Sequence, residues 1–306
     1  MSKLLSAALC SAAVLCVAGC ATREPAAPLN GEVLMRDVRV LAADDMEGRQ
    51  ISTPGGEKAR AYVERRFRDA GLKPVQGGWT QAFETTVKSR PGETLRGANV
   101  WGMIPGSDRS DRYIVVSAHY DHLGVRDGQI YNGADDDASG VAALLAIAER
   151  LSRTRPRHSI LFVAYDGEEG GLLGARWFMS HPPAPLDSLL VNVNLDMVGR
   201  GDRGELYVTG TRVNPALKPV VEAAAAGLPL KVLFGHEDPA DKPNDWTNQS
   251  DHWVFAEKSK PFLYFGVEDH PDYHKPTDDA DKIPTPFFGA AATVILRTVQ
   301  GLDRSL

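Results

Sequence analysis

Cysteine is scarce in this 306-residue chain, and its placement matters more than its number. Cys10, Cys16 and Cys20 all fall within the first twenty residues, and none follows. A disulfide framework is therefore excluded from the rest of the chain, whose stability has to come from core burial and, by expectation, from bound metal. Basic tracts are also missing. Lys and Arg number 34 against 40 Asp and Glu, for a net charge of −6, so nucleic acid is not an expected partner. No Gly-x-Ser-x-Gly elbow occurs, which removes the common serine-hydrolase signature. His-Glu-x-x-His is absent too, which removes the zinc proteases that build their site on one helix. No internal repeat is visible, and no linker interrupts residues 31–306.

The one long apolar run, Leu4 to Ala18, is too short for a mature membrane span and follows the single positive charge of Lys3. It ends Val17-Ala18-Gly19-Cys20, which resembles a bacterial lipobox. The expected division is a signal peptide over residues 1–19, then a lipidated Cys20 and flexible tether to residue 30. Ala21 rather than Asp after the cysteine resembles signals sent to the outer membrane. The expected location is thus the cell envelope, with lipid at Cys20 as the membrane contact and the protein facing the periplasm.

The whole chain holds 43% apolar side chains, ample for a core. Helical spacing appears over 31–45, over Glu57–Ala70 (with Ala61, Tyr62, Phe67 and Ala70 as its buried face), after Ser139, after Gly170, over Pro215–Ala226, over Asp251–Ala256 and over Phe287–Leu302. Extended runs lie at Asn99–Ile104, Tyr113–Ala118, Ile160–Tyr165, Leu189–Leu195, Glu205–Thr209, Lys231–Phe234 and Phe262–Gly266, with 80–88 as an edge segment. Strands alternating with helices predict a three-layer α/β/α sandwich around a mixed, mostly parallel sheet.

In such sheets, sites form beyond the carboxyl ends of the strands. Tyr113–Ala118 empties into His119-Tyr120-Asp121, and Ile160–Tyr165 into Asp166-Gly167-Glu168-Glu169. Leu189–Leu195 ends at Asp196, and Phe262–Gly266 leads to Glu268-Asp269-His270 and His274. Asp136 stands in the loop feeding the helix at Ser139. Four strands emptying into imidazole and carboxylate is poor core design and good metal-site design.

Gly133-Ala-Asp-Asp136-Asp-Ala-Ser-Gly140, Glu168-Glu169-Gly, Asn194-Leu-Asp196-Met and Tyr273-His274-Lys-Pro-Thr-Asp resemble the two-zinc aminopeptidases of metallopeptidase family twenty-eight. Upstream, Glu47-Gly-Arg49, Thr53-Pro-Gly-Gly and Ala70-Gly-Leu-Lys-Pro fit the same family, so the likeness covers nearly all of residues 31–303. It implies one zinc on His119 and Asp196, a second on Glu169 and His274, and Asp136 bridging. Asp121 would orient the His119 ring. Glu168 would be the general base, taking a proton from the attacking water and passing it to the leaving amine, with a helix N-terminus near Gly170 favouring both glutamates. Cobalt or manganese would fit similar ligands. The expected activity is removal of N-terminal residues from peptides, with carboxypeptidase action also known among relatives.

Some roles stay open at this stage. Asp135 and Asp137 are each read as caps of the Ser139 helix. His270 competes with His274, which the Tyr-His-x-Pro-x-Asp pattern favours. Ser250-Asp251-His252 is either a segment beside the substrate cleft or a helix cap. Where relatives place an oxyanion-stabilising tyrosine, this chain reads Trp246-Thr-Asn-Gln249, in the long loop Gly235–Ser250 that is expected to shape the pocket. Two rival functions remain. A glutaminyl cyclase shares the fold and most ligands, but usually replaces the Asp137-Ala-Ser-Gly140 tail kept here. A metal-binding lipoprotein without catalysis would be free to lose Glu168.

Overall fold

A computed structural model describes residues 27–86 and 92–306. The stretch expected to be a signal peptide, Cys20 as the expected lipidation site and most of the expected tether lie outside the described residues. No described helix is long and apolar enough to cross a membrane.

In chain order the elements are α1 (Gly31–Leu41), α2 (Pro54–Asp69), β1 (Thr80–Thr86), β2 (Thr94–Ile104), β3 (Arg109–His119), the short pair β4 (Gly124–Arg126) and β5 (Gln129–Tyr131), and α3 (Gly140–Ser152). They continue with β6 (His158–Tyr165), α4 (Leu173–Ser180), β7 (Leu189–Leu195), β8 (Glu205–Thr209), α5 (Lys218–Ala225), β9 (Lys231–Phe234), α6 (Trp253–Ala256), β10 (Phe262–Gly266) and α7 (Thr285–Ser305). Eight strands form one sheet in the order β1-β2-β6-β3-β7-β10-β8-β9. β6, β3, β7 and β10 run parallel at its centre, β1 and β2 extend it antiparallel on one side, and β8 enters antiparallel to β10 on the other. The mixed α/β sheet flanked by helices is the fold that the sequence predicts.

β6 is buried at all eight positions because both of its faces are covered. Ile160, Phe162 and Ala164 pack with β3 and β7 residues against α1, α2, α3 and α7. Leu161, Val163 and Tyr165 face the opposite layer, where Ala175 and Phe178 of α4 meet Val254 and Phe255 of α6. An apolar run without alternation is what a strand between two helical layers requires.

Two local expectations change. On α2 the buried face is Ala59, Val63 and Phe67, while Ala61 is exposed. The helix starts at Pro54, capped by Thr53 Oγ1 accepting from Gly56 N–H, and the i, i+4 stripe is counted from there. α4 begins at Leu173 rather than near Gly170, because Gly170 N–H and Leu172 N–H first close a turn onto the carbonyls of Gly167 and Glu168. Glu168 and Glu169 therefore precede a turn, and the stabilisation expected from a helix end has to come from elsewhere.

Candidate metal centre

The parallel register brings the strand ends level. His119 pairs with Tyr165, and Phe265 with Leu195, so the segments that follow project from one edge of the sheet. His119, the last residue of β3, Asp196 after β7, Glu169 after β6 and His274 after β10 converge there around Asp136.

The contacts within this group have a pattern. His119 Nε2 lies 3.3 Å from Asp136 Oδ1 and 3.5 Å from Asp196 Oδ1. His274 Nε2 lies 3.1 Å from Asp136 Oδ2 and 3.5 Å from Glu169 Oε2. A tetrahedral zinc with bonds near 2.0–2.1 Å separates its ligand atoms by roughly 3.3 Å. Both donor sets have that spacing, and Asp136 gives one oxygen to each. The residues present thus fit a pair of metal ions sharing one carboxylate. Electrostatics agree. Burial pulls the pKa of His119 down, yet Asp196, Asp121 and Asp136 hold it well above the ordinary histidine value. His274 is likewise raised against burial by Asp136 and Glu169. Both imidazoles face a demand for positive charge.

Asp121 acts differently from the expectation. The nearer partner of His119 Nδ1 is the backbone carbonyl of Asp121, at 3.1 Å, while the carboxylate stands 3.7 Å away. A proton held on Nδ1 by that carbonyl leaves Nε2 as the free donor atom. The Asp121 carboxylate accepts instead from the N–H groups of Glu168, at 2.9 Å, and Glu169, at 3.4 Å. It supplies the support that the helix end does not. Burial raises the Glu168 pKa well above the usual carboxylate range, with Asp251, Asp196 and Glu169 adding to the rise and His119 opposing it.

Asp137 Oδ2 accepts from His119 N–H, and its Oδ1 accepts from Gly140 N–H at 2.9 Å and Met197 N–H at 3.1 Å. It caps the helix start as expected and also ties β3 to the segment after β7, so its oxygens are already engaged by the main chain. A Cβ at Gly140 would lie 2.3 Å from Asp137 Oδ1, which explains the glycine of the Asp-Ala-Ser-Gly tail. Asp135 does not cap the helix. Its Oδ1 accepts from Gly199 N–H, and its Oδ2 faces His270 Nε2 at 3.3 Å. His270 accordingly stands behind the centre, and His274 faces Asp136. Asp278, the last residue of the Tyr-His-x-Pro-x-Asp motif, accepts from the N–H groups of Asp135 and Asp136.

Arg49 of the Glu-Gly-Arg motif is wholly buried and donates to the carbonyls of Leu41, Tyr120, Asn132 and Gly133. It pins the two loops that carry His119 and Asp136. Gly133 has φ 55°, and a Cβ there would meet Asp136 O at 2.1 Å and the His122 ring at 2.5 Å, so this position demands glycine.

His122 is the residue that sequence reasoning missed. It is fully buried, and burial lowers its pKa to about 4, so the ring is neutral. Its Nδ1 lies 2.7 Å from Glu169 Oε1 but 3.7 Å from Asp136 Oδ2. No hydrogen bond joins them: neither ring nitrogen of His122 nor Glu169 Oε1 has a hydrogen-bond partner among the described residues, and His122, Asp136 and Glu169 form a group whose ligand atoms lie close enough to hold an ion. His122 thus joins the residues that could hold an ion on the Glu169 side of the centre. Its adjacency to the His-Tyr-Asp triplet was the available signal.

The cavity over this group measures about 490 Å³, and Trp246, Asn248 and Gln249 from the 235–250 loop line it together with Met197, Tyr264 and Tyr273. Trp246 is fixed there by stacking on His236 at 3.7 Å and 5°. Ser250 Oγ accepts from Asn194 Nδ2, and Asp251 is buried with no hydrogen-bond partner among the described residues, so neither side chain caps α6.

Comparison with known proteins follows this geometry. The model of peptidase family M28 matches residues 99–299. A probable zinc metalloprotease of the fungus Leptosphaeria maculans is 36% identical over 164 residues, which cover 52% of this chain and 38% of that protein. The chain spans well under half the length of the curated relatives it matches. Among solved structures, a zinc aminopeptidase from Bacillus subtilis superposes with a TM-score of 0.71 at 17% identity, covering 90% of this chain and 95% of its own. Porphyromonas gingivalis glutaminyl cyclase superposes with a TM-score of 0.70 at 20% identity, covering 90% and 99%. At those identities the structures share the fold, while the family match covers most of the chain, its strand-end motifs included. The chain belongs to peptidase family M28.

Proposed function

We propose that the protein is a two-zinc exopeptidase that removes N-terminal residues from peptides. The observation that carries this reading is the division of Asp136, one oxygen toward His119 and the other toward His274. His119 and Asp196 would hold one ion, Glu169 and His274 the other, with Asp136 shared. Zinc bound there would polarise the scissile carbonyl and make water a better nucleophile at neutral pH. The protein's own part is to place groups. Asp121 fixes the Glu168–Glu169 turn, His122 places a neutral imidazole beside Glu169, and Glu168 is left to carry a proton from the attacking water to the leaving amine. A carboxyl whose pKa burial has raised suits that shuttle. A cavity of about 490 Å³ is of small-ligand size and favours trimming at a chain end.

A panel of peptides with free and blocked N-termini, assayed with and without chelator, tests the reading. Cleavage that requires a free amine and returns on adding zinc supports it. Cleavage from the carboxyl end, or activity indifferent to chelator, sinks it. Cyclisation of N-terminal glutamine would move the assignment to the glutaminyl cyclases that share the fold. The anchor at Cys20 belongs to the same proposal, and Cys20→Ser should shift the protein out of the membrane fraction; an unchanged distribution counts against lipidation.

A further inference from the structure

Beyond the metal-facing groups, the cavity carries two other charged side chains, and they differ in how far they are already used. Arg176 lines one side and is tied to Glu257 at 3.0 Å. Asp269 lines the other, exposed, and makes no hydrogen bond or ion pair among the described residues. Its neighbour Glu268 is engaged by His236 Nε2 at 3.2 Å. Arg200, which shares a smaller adjoining cavity of about 200 Å³ with Asp269, is taken by Asp202 and Asp272. The same cavity is lined by the apolar and aromatic side chains of Met197, Trp246, Tyr264, Val267 and Tyr273.

We propose that Asp269 is a specificity-determining residue that selects substrates whose first residue carries a basic side chain, lysine or arginine. The inference rests on the aminopeptidase reading and names the substrate class of that site. A side chain suited to this lining needs an aliphatic stem to lie along the aromatic surface and a cationic end to meet the free carboxylate. Lysine and arginine have both. An acidic first residue would place like charge against Asp269. A charge-assisted hydrogen bond of this kind separates lysine from an apolar residue of equal length by roughly tenfold to a hundredfold.

The test compares kcat/KM for lysyl, arginyl, norleucyl and glutamyl amides on the zinc-loaded enzyme and on Asp269→Asn. The expected result is a lysyl-to-norleucyl ratio of at least about ten in the native enzyme, falling toward one in the variant, with the change carried mostly by KM. A native ratio near or below one overturns the proposal while norleucyl hydrolysis leaves the aminopeptidase reading standing. Equal loss on lysyl and norleucyl substrates in Asp269→Asn overturns it as well, because the carboxylate would then be serving the α-amine. If the variant does not fold, inhibition of the native enzyme by free lysine against free norleucine gives the same comparison, and equal inhibition overturns the proposal. Failure to hydrolyse any amide with a free amine overturns both readings together.

Discussion

The two halves of the centre are enclosed to different degrees. His119 and Asp196 are 1% and 7% exposed. The Asp121 carbonyl fixes the His119 ring, and Asp137 takes N–H groups from both His119 and Met197, so the backbone at or beside each donor of this half is tied down. On the other half the His274 side chain is 40% exposed, and Glu169 has the neutral His122 ring beside it with no hydrogen bond between them. Both halves share Asp136 and have the same ligand spacing. What separates them is support, and support from outside the ligands controls how tightly a site holds its ion. The half at His274 is therefore expected to exchange metal more readily than the half at His119.

Glu168 is the place to look for the largest effect, because the proposed mechanism gives it the proton transfer and no share in holding metal. Glu168→Gln should reduce turnover by ~10²–10⁴, while both metal equivalents stay in place. Metal analysis beside single-turnover kinetics checks this. Near-normal turnover would remove Glu168 as the proton carrier, and loss of one equivalent would mean that it helps hold an ion.

His122 gives the next and more selective perturbation. His122→Ala should weaken the more exchangeable equivalent by ~10–100-fold and leave the other unchanged. His122→Asn, whose amide N–H can approach Glu169 from a similar position, should recover part of the loss. Competition with a chelator of known affinity measures both. Equal weakening of the two equivalents would break the asymmetry between the halves.

Much of this architecture was legible in the sequence, because strand ends are readable wherever an apolar run stops at a ligand-type residue. His119, Asp196 and Glu169 follow that rule, and the fold follows from the alternation of such runs with helical spacing. Support was harder to read. Asp121 and Asp137 act through main-chain groups of residues far away in the chain, and no spacing rule reports which N–H will point at them. His122 was passed over because two histidines three positions apart on a loop carry no periodicity. The start of α4 was misplaced for a local reason, since a turn built from Gly167, Gly170 and Gly171 looks like a helix entry until its backbone hydrogen bonds are known. Asp269, by contrast, was visible as a strand-end acid, and only the geometry shows that it has no partner.

The smallest effect concerns how the open half is held. The loop bearing His274 is clamped by Asp272, which accepts from Arg200, Thr277 and Lys282. Those three donors hold the Asp272 carboxyl well below the usual range, the Lys282 hydrogen bond being the largest cause. A carboxyl depressed in the folded state stabilises the fold above its unfolded pKa of about 3.9 and loses that contribution as pH falls toward the folded value. In metal-free protein, Asp272→Asn should therefore cost on the order of 1 kcal/mol near neutrality, and the difference from the native chain should shrink below pH 4. Comparing the two proteins cancels the titration of the other ligand carboxylates, which both retain. A difference that holds constant down to pH 2 would show that the clamp works through packing alone. The looser half would then owe its stability to the shape of the 267–278 loop and nothing to charge.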